Sequence, residues 1–527
     1  MTQHTRTGDD ALDSVISAPS GASEATGETA EDRFGHVEVK GVEYLPESER
    51  DSRPRNMFAV FFGGNLAFSV IVFGWLPITF GLSWIGAVTA SAVGITLGTL
   101  LIAPMALMGP RTGTNNTVSS GAHFGVTGRL VGSALTLLFA LAYAAIAVWT
   151  SGDALVAASH RLFGTPVDNG VLAIGYGIIA AEIVVVALFG HGTVVALQKF
   201  VLPVVGVLLL LGVVAFGGKF DPGAAGGGEY LLGGFWHTWA LAVVIAFGGP
   251  LSYAPTLGDY SRRISRTKFG DRSVVIATMA GIFFGLFLTA AFGSFTASTF
   301  TTLSESYVAD LVAESPAWYV LPIVLIALAG GLGQGVLNVY ASGLDLEALI
   351  PRLKRVQTTL ITSALAIALL YIGVFLVDAV DSITAMTLVL NGVAAPWVAI
   401  NVAGFLVARR GEYDPADLQV FNQGRRGGRY WFTGGWNLRA IIPWLAGSLY
   451  GILAVDTSLY SGPLAGLGHG IDTSLVGSGL IAGIGYLVAL RVWPERVAPV
   501  GVPADEVHET CTRPLPDLDD AGRAAFR

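Results

Sequence analysis

A single cysteine, Cys511, stands in the whole chain, so no intramolecular disulfide can form. Charge is scarce as well: Asp, Glu, Lys and Arg make up 13% of the 527 residues, against 53% hydrophobic. That balance departs from a soluble globular domain and points to a polytopic membrane protein. A formal net charge of −8 offers no positive field for a phosphate backbone, so no nucleic-acid partner is expected. The histidines show no pair at metal-ligand spacing. Neither they nor the carboxylates form a dyad or metal cluster of the kind an intramembrane enzyme needs, so no catalytic residue, metal or organic cofactor is assigned.

Apolar runs are what the chain has in quantity. Crossing about 30 Å of hydrocarbon takes roughly 20 residues in a helix. Twelve such runs start near Met57, Trp84, Leu130, Gly170, Val194, Trp236, Ser273, Ala317, Gln357, Ile383, Ala440 and Thr473. The reading is therefore all-α, with twelve transmembrane helices in one transporter domain, residues 56–493. It is flanked by an acidic tail, 1–55, and a short acidic, proline-rich tail, 494–527. Both tails are expected to be disordered and cytoplasmic. The first has no hydrophobic signal-peptide core, so no cleavage is expected.

Orientation follows from the cations. With the first tail inside, Arg161 and Lys219 are the only outward Lys or Arg of the 30 in the chain. The inner loops carry the clusters: Arg262, Arg263, Arg266, Lys268 and Arg272; Arg352, Lys354 and Arg355; Arg409, Arg410, Arg425, Arg426 and Arg429. Losing one span would reverse every side downstream of it, so the asymmetry supports the count of twelve.

Two runs are interrupted. The first reads "FGGNLAFSVIVFGWLP", with Gly63, Gly64 and Asn65 early and Gly74 and Pro77 late; the sixth reads "FGGPLSYAPTLGDYSRR", with Gly248, Gly249, Pro250 and Pro255 close together. Within a bilayer such backbone is tolerated where it faces protein or a wet cavity. Spans one and six hold corresponding positions in two five-span halves, the pattern of an inverted-repeat transporter whose substrate sits near the midplane. Gly248 to Pro255 is expected to be non-helical.

Four stretches then carry a resemblance: "SYAPTLGDYSRR" (Ser252 to Arg263), "GPRTGTNNTVSSGAHFGVTGR" (Gly109 to Arg129), "LNVYASGLDLEAL" (Leu337 to Leu349) and "GGWNLRAIIPWLAG" (Gly434 to Gly447). In this order and spacing they resemble the nucleobase:cation symporter-1 family, the purine–cytosine permeases, over the chain from Arg53 to Trp493. The resemblance implies a LeuT-like, five-plus-five inverted-repeat core with discontinuous helices 1 and 6. It also implies symport of a nucleobase or related heterocycle with H⁺ or Na⁺, at the plasma (inner) membrane. The chain departs from the family pattern at Gly121, where an Arg is common, after Arg263, and at Ala147, where an amide often faces the ligand. These departures leave the particular heterocycle open.

A planar base needs aromatic plates for its faces, worth about 1–3 kcal/mol per stacked base in nucleic-acid proteins, and matched polar groups on its edge. Phe73, Trp75, Tyr143 and Tyr253 are the candidate plates. Ser252, with the backbone around Gly249, and the amides Gln334 and Asn338 are the candidate edge readers. Gln334 and Asn338, four residues apart, share a helix face. "GGLGQG", Gly330 to Gly335, has no preceding strand and reads as close helix packing rather than a phosphate cradle. For the coupling ion, Trp318 to Tyr340 of span eight contains no Ser or Thr to hold sodium, which favours a proton. Asp153, Glu182, Asp259 and Asp345 are the ionisable residues in or near spans; Glu182, placed deepest, and Asp259 are the candidates for ion coupling. The alternatives are another small solute on the same fold (allantoin, a hydantoin, a vitamin-like heterocycle or an amino acid), a channel, or a non-transporting sensor. Nothing in the sequence sets the oligomeric state.

Overall fold

The computed structural model describes residues 42–495, apart from 224–225, 227–228, 305, 351, 377–378, 458 and 469. Most of both expected tails lies outside the described residues. Their inner ends do not match the expectation of disorder. Val42, Tyr44, Leu45, Arg50 and Ser52 are buried. Arg50 donates to the carbonyls of Leu45 (3.0 Å) and Pro110 (2.8 Å), and the Ser52 amide donates to Arg263 O at 2.9 Å. The segment lies across the inner ends of spans 2 and 6, so the ordered domain begins by residue 42. At the other end, Glu495 pairs with Arg409 at 2.6 Å.

The described residues form helices joined by turns and isolated bridges. Ten helices are long and apolar enough to cross a membrane, and the pair Pro54–Gly63 and Phe68–Thr79, bent by 58°, makes an eleventh span. A shorter apolar helix, Leu438–Ala454, stands where the eleventh of the twelve runs was expected. In order, span 1 is the bent pair, followed by span 2 (Trp84–Ile102), span 3 (Leu130–Phe163), span 4 (Asn169–Ala187), span 5 (Gly190–Gly217) and span 6 (Phe235–Tyr253, then Leu257–Ser261). Then come span 7 (Asp271–Ala297), span 8 (Val320–Leu349), span 9 (Arg355–Leu376), span 10 (Ala379–Ala403), span 11 (Leu438–Ala454) and span 12 (Ser474–Val492).

Helix packing repeats with an offset of five. Span 1 packs on span 7 and span 6 on span 2; span 1 meets span 5 and span 6 meets span 10; spans 4 and 9 each lie against both 3 and 8, and 3 packs on 8. Five is odd, so the second half enters the membrane from the opposite side, which makes the repeat inverted. Small residues allow the equivalent close approaches. A Cβ at Gly98 of span 2 would lie 2.8 Å from Phe247 O of span 6, and one at Gly281 of span 7 would lie 2.8 Å from Phe58 O of span 1. In "GGLGQG", the same test places Gly330 against the break in span 1, Gly331 against Ser151 and Gly335 against Ile183. That stretch is helix packing.

The break in span 6 differs from the expectation. Helix continues through Gly248, Gly249 and Pro250 to Tyr253, and only Ala254 to Thr256 leave it. The two glycines are packing positions: a Cβ at Gly248 would lie 2.5 Å from Asn391 Nδ2, and one at Gly249 would lie 3.1 Å from Leu286 Cδ1. The freed carbonyl of Ala254 is taken by Asn116 Nδ2 at 2.8 Å. In span 1 the break covers Gly64 to Ala67.

Candidate functional site

Between the two breaks lies a cavity of about 850 Å³, counting the part open to solvent, walled by spans 1, 2, 3, 6, 7 and 8. Its lining includes Phe73, Tyr143, Gly249, Ser252, Tyr253, Gln334 and Asn338. Seven of the eight residues singled out from sequence thus meet in one space, although they come from four spans.

The eighth, Trp75, does not join them. Its side chain is buried, with its ring centroid 6.2 Å from that of Tyr307. Phe73 and Trp75 are two residues apart in one helix, about 200° around its axis, so they cannot face the same cavity.

Three aromatic rings cluster in this lining. Phe73 and Tyr143 stand 6.1 Å apart with their planes at 46°, and Phe139 stacks on Tyr143 at 6.3 Å and 15°. Phe139 and Tyr143 are four apart on span 3, so their helical spacing could have revealed Phe139.

Polar groups share the lining, and hydrogen bonds fix several of them. Asn65 Nδ2 donates to Phe61 O at 2.6 Å, and its Oδ1 accepts from the Tyr253 hydroxyl at 2.8 Å. The Ser69 hydroxyl donates to Gln334 Oε1 at 2.6 Å, which leaves the amide nitrogen of Gln334 as its other polar end. Asn338 Nδ2 is buried without a hydrogen-bond partner. Ser252 Oγ donates to Gly249 O at 2.7 Å, so its proton is engaged by the helix and its oxygen remains an acceptor. Asn65, Ser91, Thr136, Thr256 and Tyr260 also line the space and were not singled out. Asn65 stood inside the quoted interruption of span 1. Ser91 and Thr136 lay in uninterrupted runs, where nothing distinguished them from packing hydroxyls.

The two carboxylates considered for coupling lie outside this lining. Glu182 is on span 4, half-buried, with Oε1 unpartnered. Asp259 is fully buried on the short inner helix of span 6, adjacent in sequence to Tyr260 of the cavity. The arginines that follow, assigned from sequence to an inner loop, do not lie on its surface. Arg262 and Arg263 are 2% and 5% exposed, lying under the segment from Val42 to Ser52, and Arg262 donates to Glu43 O at 3.3 Å.

Comparison with known proteins bears on the family and the fold. The family model described as "Permease for cytosine/purines, uracil, thiamine, allantoin" matches residues 44–481. The putative purine-cytosine permease YxlA of Bacillus subtilis is 25% identical over 478 residues, covering 86% of this chain and 96% of that protein. A 182-residue stretch, 33% of this chain, is 25% identical to 30% of the vitamin B6 transporter of Saccharomyces cerevisiae. Among solved structures, the closed conformation of Mhp1, a nucleobase-cation-symport-1 family transporter with bromovinylhydantoin bound, superimposes with a TM-score of 0.67 at 16% identity. That match covers 92% of this chain and 99% of Mhp1, and it shows a shared LeuT-like fold. The chain therefore belongs to the nucleobase:cation symporter-1 family of permeases, and it is a multi-pass membrane transporter rather than an enzyme.

Proposed function

We propose that the protein imports a nucleobase or a close heterocyclic relative, of the cytosine and purine class, by proton symport with alternating access. One observation carries the reading: the rings of Phe73, Phe139 and Tyr143 and a set of polar edge groups, among them the unpartnered amide nitrogen of Asn338, line one cavity between two broken helices. A flat ring stacks on these aromatics and its rim of donors and acceptors meets Asn338, Gln334, Ser252 and Tyr253. The names of the B. subtilis relative and of the ligand bound to Mhp1 support this substrate class.

Proton coupling is favoured over sodium because Trp318 to Tyr340 supplies no Ser or Thr hydroxyl. The Lys and Arg clusters of the inner loops support cytoplasmic termini, and the family resemblance supports the plasma (inner) membrane. The partial likeness to a vitamin B6 transporter supports a second reading, a vitamin-like heterocycle in the same cavity.

The test is uptake by proteoliposomes of labelled cytosine, hypoxanthine, uracil, allantoin, a hydantoin and pyridoxine under an imposed pH gradient. Accumulation of a base, abolished by an uncoupler, supports the proposal. Accumulation of pyridoxine alone selects the second reading, and accumulation of an amino acid or sugar in place of all of these removes both.

A further inference from the structure

Toward the cytoplasm from the cavity, two fully buried carboxyls border one polar region around Asn115 to Thr117: Asp259 on the inner helix of span 6, whose neighbour Gly258 packs on Asn116, and Asp345 on the inner half of span 8, which meets Thr117. Asp259 lies within the fields of Asp345, Arg262 and Arg355, and the Asn115 amide faces it. Asp345 faces Arg129 and the hydroxyls of Thr117, Ser133 and Thr136. Thr117 Oγ1 donates to its Oδ1 at 2.8 Å.

Among the described residues, none of the three guanidiniums closes an ion pair with either carboxyl. Each is engaged elsewhere. Arg129 donates to Asn422 and lies over the Phe421 ring, Arg355 donates to Tyr340 O at 3.1 Å, and Arg262 donates to Glu43 O. Both oxygens of Asp259 and Oδ2 of Asp345 accept no hydrogen bond, and Asn115 Nδ2, Ser133 Oγ, Tyr260 Oη and Ser261 Oγ are likewise buried and unpartnered.

So many unsatisfied polar atoms in one place call for internal water. Two bare carboxylates within each other's field would be costly in such surroundings. One proton on the pair removes a charge and supplies a donor where Asp259 and Asp345 Oδ2 have none. Thr136 and Tyr260 connect this polar region to the substrate, because both also line the cavity.

We propose that Asp259 and Asp345 share the co-transported proton as a hydrated carboxyl pair directly beneath the substrate cavity. The proton enters as an O–H on one carboxyl, linked to the other through water, and leaves to cytoplasmic water. The carboxylates left behind are met by Arg262, Arg355 and Arg129. This inference rests on the proton-coupled reading above.

The experiment uses full-length protein in liposomes loaded with a pH dye and given cytosine, hypoxanthine, uracil or allantoin. The wild type acidifies the lumen as it accumulates the accepted compound. Asp259→Asn and Asp345→Asn retain thermal stabilisation by that compound and its exchange across the membrane, but lose acidification and accumulation. Thr117→Val, which removes the hydroxyl donor to Asp345, moves the pH profile of uptake at unchanged expression. Continued acidification in both Asn variants overturns the pair, as does wild-type uptake that follows a sodium gradient without acidification. If the wild type moves none of the four compounds, the substrate reading fails. The pair is then read without substrate, from the protonated-carboxyl band in infrared spectra. That band is present in the wild type and lost in each Asn variant, and its absence from the wild type overturns the proposal.

Discussion

The Tyr253 hydroxyl donates to Asn65 Oδ1 across 2.8 Å, joining the last helical turn before the break in span 6 to the break in span 1. The two residues are 188 apart in sequence and belong to the first span of each half. Both line the cavity, so the bond joins the two broken helices at the substrate space itself. Tyr253→Phe leaves Asn65 Oδ1 without its donor and is expected to weaken substrate affinity by about 1 kcal/mol, roughly fivefold. Concentration dependence of uptake at matched expression measures this, and an unchanged KM argues against the role.

The amides of span 8 give a larger effect. Asn338→Ala and Gln334→Ala each remove an edge group and are expected to lose about 1–3 kcal/mol of binding, roughly fivefold to more than a hundredfold in KM. Ser69→Ala is expected to cost less, since it removes only the hydroxyl that orients Gln334. Kinetics of the three variants in one lipid background check the order; a Ser69→Ala effect exceeding that of Gln334→Ala contradicts it.

Adjacent glycines of span 6 are expected to behave differently. At Gly249 an added methyl meets only the movable end of Leu286 at 3.1 Å, so Gly249→Ala should fold and transport. Gly249→Phe should fold yet lose binding, because its ring enters the cavity. At Gly248 a methyl meets the buried Asn391 amide at 2.5 Å, so Gly248→Ala should lower stability and expression. Size-exclusion profiles, melting temperatures and uptake of the three variants separate the cases.

Trp75 is a packing residue in this structure. Trp75→Phe should leave KM unchanged, whereas Trp75→Ala should lower stability by about 3–5 kcal/mol. A selective rise in KM for Trp75→Phe would return this residue to the site.

The starts of the twelve runs were legible in sequence because length and hydropathy alone determine which segments suit a bilayer. The residues gathered around the cavity were legible because polar and aromatic side chains beside helix breaks stand out in apolar sequence. The exact break in span 6 was not. Gly248, Gly249 and Pro250 read as helix breakers, but the glycines serve contacts with Asn391 and Leu286 that belong to other spans. Trp75 was misplaced by judging residue type without helical phase. Arg262 and Arg263 were assigned only to an inner loop, because sequence does not show that Val42 to Ser52 folds back over them. The proposed pairing of Asp259 with Asp345 depends on spans 6 and 8 both reaching Asn115 to Thr117, which no local pattern encodes.

The most direct test of the central claim is an experimental structure of the protein with the compound it accumulates, at saturating concentration. The account predicts a planar ligand with one face against Tyr143 or Phe73 and its edge within hydrogen-bonding distance of Asn338 and Gln334. A ligand bound elsewhere, with this cavity empty or filled by side chains, would contradict it.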